Sequence, residues 1–279
     1  MKKSYYLFLL LLVAATSFSV HAQTGQKFPD FKLGVSSKLQ TNGMQKVNPN
    51  EEKGKGILMY ATTLDDYYNQ ERGWYKFWSK EPQNAIKLKT WNPGSQSFVD
   101  GLRCGCWGGD AYYAFYIFQY SLGYDYPYAF VKVEPETGEL DIVKNFEQGD
   151  DFYDNWHSYT LYCMTYNPVK DEVYALGQTT KENQAQVSTL YKIDRATGTP
   201  TKLHDFDFIS FAMSVDMEGT LWVQNSIYEG ESNVGAKLIA YDTDNFDVKK
   251  EVKLSYNGSS FVTAYYGTMS FDYTTGDLY

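Results

Sequence analysis

The sequence predicts an all-β protein built from repeated units, and three observations support this fold class. An aromatic residue closes a short strand-like run after a turn at five places, namely Tyr60, Tyr113, Tyr174, Trp222 and Tyr279. These positions lie 53, 61, 48 and 57 residues apart. The units are rich in residues that favour pleated strands, and no long segment keeps the 3.6-residue apolar period of a helix. Units of about four strands recurring every ~50 residues predict a β-propeller of four-stranded antiparallel blades.

The N-terminus has the pattern of a secretory signal peptide. Lys2 and Lys3 precede an uncharged run over residues 5–15, and the small-x-small ending Val20–Ala22 follows. The run is too short to cross a bilayer, which needs about 20 residues. We therefore expect cleavage after residue 22 and export to the periplasm, the cell surface or the medium. No other segment is apolar enough to span a membrane.

A polar lead-in over residues 23–55 separates the signal peptide from the repeats. It is expected to be loosely ordered, with at most one strand near Leu33–Leu39. The blades are then expected at about residues 56–91, 97–146, 161–206 and 211–254, with a partial blade at 265–279.

The first predicted unit contains three strand patterns, and the second is expected to begin with a strand near Ser97–Arg103. The Gly-rich run Arg103–Asp110 lacks the ending of a phosphate-binding loop. Its glycines instead indicate a first strand packed tightly near the propeller axis.

Two sets of turns repeat in register between these strands. Turns between third and fourth strands are expected at Glu134–Gly138, Asp194–Gly198 and Asp242–Phe246. Turns between first and second strands are expected at Asn167–Asp171 and Asp216–Gly219. Asp, Asn and Thr stabilise such turns through side-chain hydrogen bonds, and Gly supplies the positive φ angle that they need.

The fifth unit reaches only its second strand, at Tyr279. Because propellers close by completing their last blade, we expect this sequence to be a fragment of a longer propeller protein. About four and a half blades are then visible.

Four strings carry a resemblance to the blades of exported bacterial β-propellers: Met164–Leu176, Leu190–Leu203, Met213–Val223 and Met269–Tyr279. They resemble the YVTN and quinoprotein-like groups, whose blades carry a D-x-x-T-G turn, and the blades of periplasmic sensor propellers. The Asp216–Trp222 string is also similar to an Asp-box, but one extra residue before Gly219 departs from that pattern. The resemblance covers about residues 56–279 and implies a central channel with ligands on one of its two faces. It leaves the function open, because propellers include enzymes, receptors and adhesins.

Charge and cysteine content exclude some partners. The formal charge is −9, and it becomes −11 once cleavage removes the two lysines of the signal peptide, so a nucleic acid is not an expected partner.

The three cysteines are Cys104, Cys106 and Cys163. We expect them to be small buried residues, although a bridge from Cys104 or Cys106 to Cys163 stays open.

One turn carries three carboxylates, Asp242, Asp244 and Asp247. Calcium binds oxygen-rich loops of this kind, but the Gly and distal Glu of an EF-hand loop are absent. A hydrogen-bonded turn is the favoured interpretation, and calcium is the one cofactor that stays open.

The segment between the second and third blades gathers acids, aromatics and a histidine. Asp154 and His157 there are candidates for a general acid–base pair, although no nucleophile motif accompanies them. Trp156 in the same segment is a candidate ligand contact. The insertion of the second blade adds further candidate contacts because flat rings stack on sugars or pack on proteins. They are Tyr120, Tyr124, Tyr126 and Tyr128.

These features favour an exported propeller that acts as a binding module for a glycan or a surface protein rather than as an enzyme. Two alternatives remain at this stage. One is a propeller-type enzyme, either a glycan hydrolase or lyase or a quinoprotein-like oxidoreductase. The other is the sensor domain of a periplasmic signalling protein.

Overall fold

The structure, a computed structural model, describes most of the chain after residue 57. The described ranges are 58–63, 73–91, 101–117, 128–146, 161–180, 186–229, 232–261, 269–273 and 276–278. Within them the chain forms β-strands and a single 3-10 turn at Pro82–Asn84, with no α-helix.

The strands form consecutive antiparallel sheets, each ordered as in the chain. Sheet 1 holds three strands: β1 Leu58–Thr63, β2 Gly73–Trp78 and β3 Ile86–Lys89. Sheet 2 holds four strands: β4 Gly101–Trp107, β5 Tyr112–Ile117, β6 Tyr128–Val133 and β7 Leu140–Phe146.

Two further four-stranded sheets follow. Sheet 3 holds β8 Leu161–Asn167, β9 Glu172–Thr180, β10 Gln186–Ile193 and β11 Pro200–Asp205. Sheet 4 holds β12 Met213–Val215, β13 Leu221–Glu229, β14 Ser232–Tyr241 and β15 Val248–Lys253. A small hairpin follows, with β16 Ser255–Tyr256 and β17 Ser259–Ser260, and then the pair β18 Phe271–Asp272 and β19 Asp277–Leu278.

The hydrophobic core lies in layers between neighbouring sheets. On β5, Ala114 and Tyr116 pack toward sheet 1, whereas Tyr113 and Phe115 pack toward sheet 3. The strand therefore reads as the continuous apolar run YYAFYI, because both of its faces are buried. The same division recurs on β9, and a last layer joins Trp222 of sheet 4 to Phe271 of β18.

The first strands of successive sheets lie side by side, since β4 contacts β8 and β8 contacts β12. Strands β12 and β18 each donate a backbone N–H to a hydroxyl of a neighbouring strand, β8 and β12 respectively. Val215 N–H bonds Thr165 Oγ1 at 3.2 Å, and Phe271 N–H bonds Ser214 Oγ at 3.3 Å. Antiparallel meanders that stack face to face with their first strands innermost form an incomplete β-propeller. This confirms the predicted fold class.

Two local features go beyond the predictions. The first strand of sheet 2 spans Gly101–Trp107 in the described residues, so it overlaps the predicted Ser97–Arg103 and continues into the glycine-rich run, while residues 97–100 lie outside the described residues. A Cβ at Gly105 would lie 2.7 Å from the Tyr112 ring, so the glycine allows this close packing. The hairpin β16–β17 was not predicted, although Asn257 and Gly258 both take positive φ in its turn and Asn-Gly is a strong hairpin signal.

Candidate functional site

The strand order sorts the connections onto two faces of the ring. In an antiparallel meander, successive connections alternate between the two ends of the sheet. Tight turns, including 108–111, 134–139, 168–171, 194–199 and 242–247, therefore share one face, which we call the turn face. The second-to-third-strand connections and the links between sheets leave from the opposite side, which we call the loop face.

The turn face contains the aromatic repeat that the sequence shows. Tyr113 and Tyr174 occupy equivalent second-strand positions, each directly opposite a lysine of the third strand. Tyr60 on β1 likewise lies directly opposite Lys76 of β2. Trp222 occupies the same position opposite Ala240. These four aromatic residues therefore lie at corresponding places in their sheets, and Tyr279 lies outside the described residues.

Each of these aromatic residues reaches a carboxylate at the turn face. Tyr113 O–H donates to Asp110 at 3.1 Å, Tyr174 O–H to Glu172 at 2.9 Å and Trp222 Nε1–H to Asp216 at 2.9 Å. Tyr60 O–H donates to Glu136 of the next sheet. An aromatic ring with a polar tip is therefore selected at this position, because the ring packs between sheets while the tip needs a hydrogen-bond partner.

Arg195 organises a polar cluster of the described turn face, between sheets 2 and 3. Its guanidinium donates to Asp171 Oδ2 at 2.7 Å and to Asp110 Oδ1 at 3.2 Å, and it also bonds the Gly108 carbonyl. Tyr166 O–H donates to Asp171 Oδ1 at 2.7 Å. The planar guanidinium suits such a forked contact with two carboxylates.

Electrostatics in the Arg195 cluster favour the ionised carboxylate. Partial burial opposes ionisation of Asp171, but hydrogen bonds from Tyr166 and Arg195, together with the Arg195 charge, hold its pKa below the ordinary value. Burial and the neighbouring Asp110 carboxylate raise the pKa of Tyr113 to about 12. Tyr113 therefore stays neutral, and Arg195 is held by two carboxylates, so the cluster fastens sheet 2 to sheet 3.

The Asp242 turn is internally hydrogen-bonded. Asp242 Oδ1 accepts the Asp244 N–H at 2.8 Å, and Asn245 bridges to Asp247 at 2.7 Å. Lys170 Nζ lies 2.8 Å from Asp244 Oδ1, across the junction of sheets 3 and 4. Within the described ranges, no three His, Cys, Asp or Glu side chains come together in a way that could hold a metal ion. Calcium at Asp242, Asp244 and Asp247 stays a prediction, and it would have to compete with these contacts.

Most of the predicted ligand and catalytic residues lie outside the described residues. These are Tyr120, Tyr124, Tyr126, Asp154, Trp156 and His157. Tyr128 is the first residue of β6, where its backbone pairs with Ile117 and Phe146 at the loop-face end of sheet 2. Chain order assigns 118–127 to the connection between β5 and β6, and 147–160 to the link from β7 to β8. Both segments therefore start and end at the loop face.

One link across the loop face is described in full. Residues 206–212 run from the outer strand β11 to the inner strand β12, held by the buried Ser188 and Ser210. Ser188 Oγ accepts the Ser210 N–H at 2.7 Å, and Phe206 N–H bonds the Ser188 carbonyl at 2.8 Å. The rigid strand ends of sheet 3 therefore anchor this part of the loop face.

The three thiols are free and lie in inner strands. Cys104 and Cys106 pack against the core between sheets 2 and 3, and Cys163 against the core between sheets 3 and 4. Burial raises the pKa of Cys163 to about 11 and also raises those of the other two. The three residues are partly buried and pack as small hydrophobic side chains, and neutral thiols of this kind are poor nucleophiles.

Sequence reasoning missed two features of the faces. Arg195 stands in a turn that was recognised only for its Asp and Gly, and its carboxylate partners are 85 and 24 residues away. Trp107 ends the inner strand β4 at the turn face with 43% of its surface exposed. An exposed tryptophan gives no sequence signal that distinguishes it from a buried one.

Comparisons with known proteins give no family. No protein-family model matches the chain, and no curated protein matches it. Among solved structures, the chain is similar to a crystal structure of a Bacteroides fragilis NCTC 9343 protein provisionally named a 6-phosphogluconolactonase. Sequence identity is 14% and the TM-score is 0.37, over 74% of this chain and 58% of that chain. The chain thus spans well under two thirds of that protein's length, and a likeness this distant supports no inference here.

Proposed function

We propose that this protein is an exported β-propeller that binds a carbohydrate through its loop face. The supporting observation is the sorting of connections: the long segments 118–127 and 147–160, which hold the aromatic candidates, both leave from that face. The turn face is instead occupied by contacts between neighbouring sheets, such as the Arg195 cluster. A rigid ring with variable loops on one side is a common basis for recognition.

The composition of these segments favours a sugar over other ligands. Tyr120, Tyr124, Tyr126 and Trp156 provide flat apolar faces, and Asp154 and its neighbours provide hydrogen-bond acceptors. The chain carries a formal charge of −9, so anionic polysaccharides are repelled. A neutral glycan is therefore the expected ligand, and a surface protein is the alternative occupant. Export through residues 1–22 belongs to the same proposal, and within the described ranges no helix has the length and apolar character that crossing a bilayer requires.

The test compares the mature chain with a Tyr124→Ala/Tyr126→Ala double variant on immobilised polysaccharides. Suitable probes are a β-glucan, a xylan and a mannan as neutral glycans, and a pectin as the acidic one. We expect the wild-type chain to be retained on a neutral glycan, and the double variant to bind about tenfold or more weakly. The matched control is Trp107→Ala, which removes an exposed aromatic residue from the turn face and leaves binding unchanged.

Four outcomes contradict the proposal. If the double variant is retained as well as the wild type, Tyr124 and Tyr126 are not ligand contacts. If Trp107→Ala loses binding, the ligand binds at the turn face instead. No retention on any probe removes the carbohydrate, which leaves a surface protein as the partner. Release of reducing sugar by the wild-type chain, abolished by Asp154→Asn or His157→Ala, would establish the enzyme instead.

A further inference from the structure

The hairpin β16–β17 lies at the loop-face end of sheet 4. Strand β15 runs from the turn 242–247 toward the loop face, so the residues that follow Lys253 belong to that face. The segment 254–261 reads LSYNGSSF and carries no charged side chain, whereas β15, which reads VKKEVK, is mostly charged. The loop face of this sheet therefore contains a short, neutral element whose residues the structure describes throughout.

The base of this hairpin is fixed to the sheet. Leu254 N–H bonds the Ala236 carbonyl of β14 at 2.8 Å, and Phe261 N–H bonds the Leu254 carbonyl at 3.1 Å. A Cβ added at Gly235 would lie 3.7 Å from Ser260 Cβ, so β17 also lies against β14. A two-stranded hairpin alone is marginally stable in water. These contacts therefore hold the hairpin in one position and orient its tip.

The tip of the hairpin is exposed to solvent. Asn257 and Gly258 form its two-residue turn with φ angles of 50 and 79, and positive φ at both residues is what a tight hairpin turn requires. Tyr256 is 58% exposed, and a Cβ added at Gly258 would meet nothing within 4 Å. The tip thus contributes little to the hydrophobic core, and its side chains can contact a ligand.

The composition of the hairpin is that of a recognition loop. Ser, Tyr, Asn and Gly make up the whole of Ser255–Ser260, and the same four residue types are enriched in antibody binding loops. Tyrosine provides a large amphipathic contact surface at a low entropic cost, and the small polar residues provide adaptable hydrogen bonds. A single exposed apolar side chain needs no explanation. An exposed tyrosine on an ordered turn of small polar residues has the chemistry of a contact site.

We propose that the hairpin Ser255–Ser260 is a contact site for a neutral glycan, an inference that rests on the carbohydrate binding proposed above. The Tyr256 ring stacks on the apolar face of a sugar ring. The Asn257 amide and the Ser259 and Ser260 hydroxyls bond the sugar hydroxyl groups, since each of them can both donate and accept.

Charge and size favour this class of ligand. The hairpin has no charged side chain of its own, and Lys237 on the adjacent β14 pairs with Glu251 of β15 at 3.0 Å, so the hairpin provides no counter-ion for an acidic sugar. A stable protein interface buries about 800 Å² on each partner, and one short hairpin offers too little surface for it. A neutral sugar ring matches the size and the chemistry of the tip.

Retention on the immobilised β-glucan, xylan and mannan tests the proposal in the mature chain. We expect Tyr256→Ala to bind about tenfold more weakly than the wild type. Tyr256→Phe keeps the ring and should bind nearly as well as the wild type. Gly258→Val strains the turn while Tyr256 is unchanged, and it should also weaken binding. Trp107→Ala is the matched control, since it removes an exposed aromatic residue from the opposite face. Urea denaturation of each variant, with an unchanged midpoint for Tyr256→Ala, shows that the loss is one of contact.

The outcomes separate this inference from the proposed function. If Tyr256→Ala is retained as well as the wild type while Tyr124→Ala/Tyr126→Ala binds weakly, the loop face binds sugar without the hairpin, and only this inference is overturned. Weak binding of Tyr256→Ala with normal retention of Tyr124→Ala/Tyr126→Ala supports the hairpin as the contact site. If Tyr256→Phe binds as weakly as Tyr256→Ala, or if Trp107→Ala loses as much, the stacking assignment is overturned. If the wild type is retained on no neutral glycan, both proposals are overturned.

Discussion

At the scale of single residues, Arg195 is the clearest case of one side chain that joins two blades. It links the turn of sheet 3 to Asp110 and Gly108 of sheet 2, and its second carboxylate, Asp171, is held by Tyr166. Only 24% of the Arg195 side-chain surface is exposed to solvent. Contacts of this kind stabilise the folded state more than an ion pair on the open surface does, because the guanidinium is oriented and partly shielded from water.

We predict that Arg195→Met lowers the free energy of unfolding by about 1–2 kcal/mol. The expected loss is no larger because both carboxylates are largely exposed, and water screens their attraction to the guanidinium. Urea denaturation of the purified chain measures this change. Lys202→Met is the control, since Lys202 pairs with Asp205 at 2.7 Å within one strand and should change stability by less than about 0.5 kcal/mol. Equal effects of the two substitutions would show that Arg195 does not hold the sheets together.

Residue chemistry also explains which contacts sequence alone predicts. Asp194 Oδ1 accepts the Ala196 and Thr197 N–H groups at 2.9 and 2.8 Å, so the turn is encoded by neighbours along the chain. The partners of Arg195 are distant in sequence and depend on how the sheets stack. The turn was therefore predictable, and the arginine cluster was not.

At the scale of elements, each third-to-fourth-strand turn packs on the sheet before it. Gly138 takes φ +73 and lies against the β2–β3 pair, while Trp74 Nε1–H and Trp91 Nε1–H bond the carbonyls of Pro135 and Gly138. Gly198 repeats this contact at φ +69. In sheet 4 the equivalent residue is Phe246, which keeps a positive φ and stacks on His204 with ring centroids 5.0 Å apart.

We predict that Gly138→Ala destabilises the protein more than Gly258→Ala, although both glycines have nearly the same φ. Gly258 takes φ +79 with nothing within 4 Å of an added Cβ, so its substitution costs only about 1–2 kcal/mol of left-handed strain. At Gly138 the new methyl group also meets Lys89 and Trp74 at 2.7 Å, which adds about 1–3 kcal/mol. Thermal or urea unfolding measures the difference; equal losses would mean that the turn moves away freely.

The strand pattern and the turn positions could be predicted at this scale because both arise from short-range chemistry. The strands of sheet 1 and the turn at Glu134–Gly138 are where the sequence indicated. The first strand of sheet 2 continues past the predicted Arg103 to Trp107, because Gly105 allows the close approach of the Tyr112 ring. The candidate ligand residues were assigned to connections, and their geometry depends on long loops for which local rules give little guidance.

At the scale of the whole molecule, carboxylates fasten one sheet to the next around the ring. Glu136 joins sheet 2 to sheet 1 through Tyr60 and Lys76, and Asp171 takes part in the junction of sheets 2 and 3. The hydrogen bond from Tyr60 and the Lys76 charge hold the pKa of Glu136 below its ordinary value, against partial desolvation. The pKa of Asp171 is also below its ordinary value.

Lowered carboxyl pKa values in the folded state predict acid sensitivity. Their stabilisation is present above the unfolded-state pKa of about 4 and is lost as pH falls through the folded-state values. We expect the free energy of unfolding to change little between about pH 6 and 8, and to fall below about pH 5. Urea denaturation at several pH values measures the profile. A Glu136→Gln/Asp171→Asn variant should have a shallower acid limb, and an unchanged limb would assign the acid sensitivity to other groups.

The pairing of Ile117 with Tyr128 determines how freely the sequence of the peptide between them can change. The peptide between them starts and finishes at adjacent hydrogen-bonded positions, so exchanging or lengthening it leaves the register of sheet 2 intact. Loop closure becomes less favourable by only about 0.6 kcal/mol for each doubling of length. Foreign peptides can therefore be inserted at this point without redesign of the scaffold.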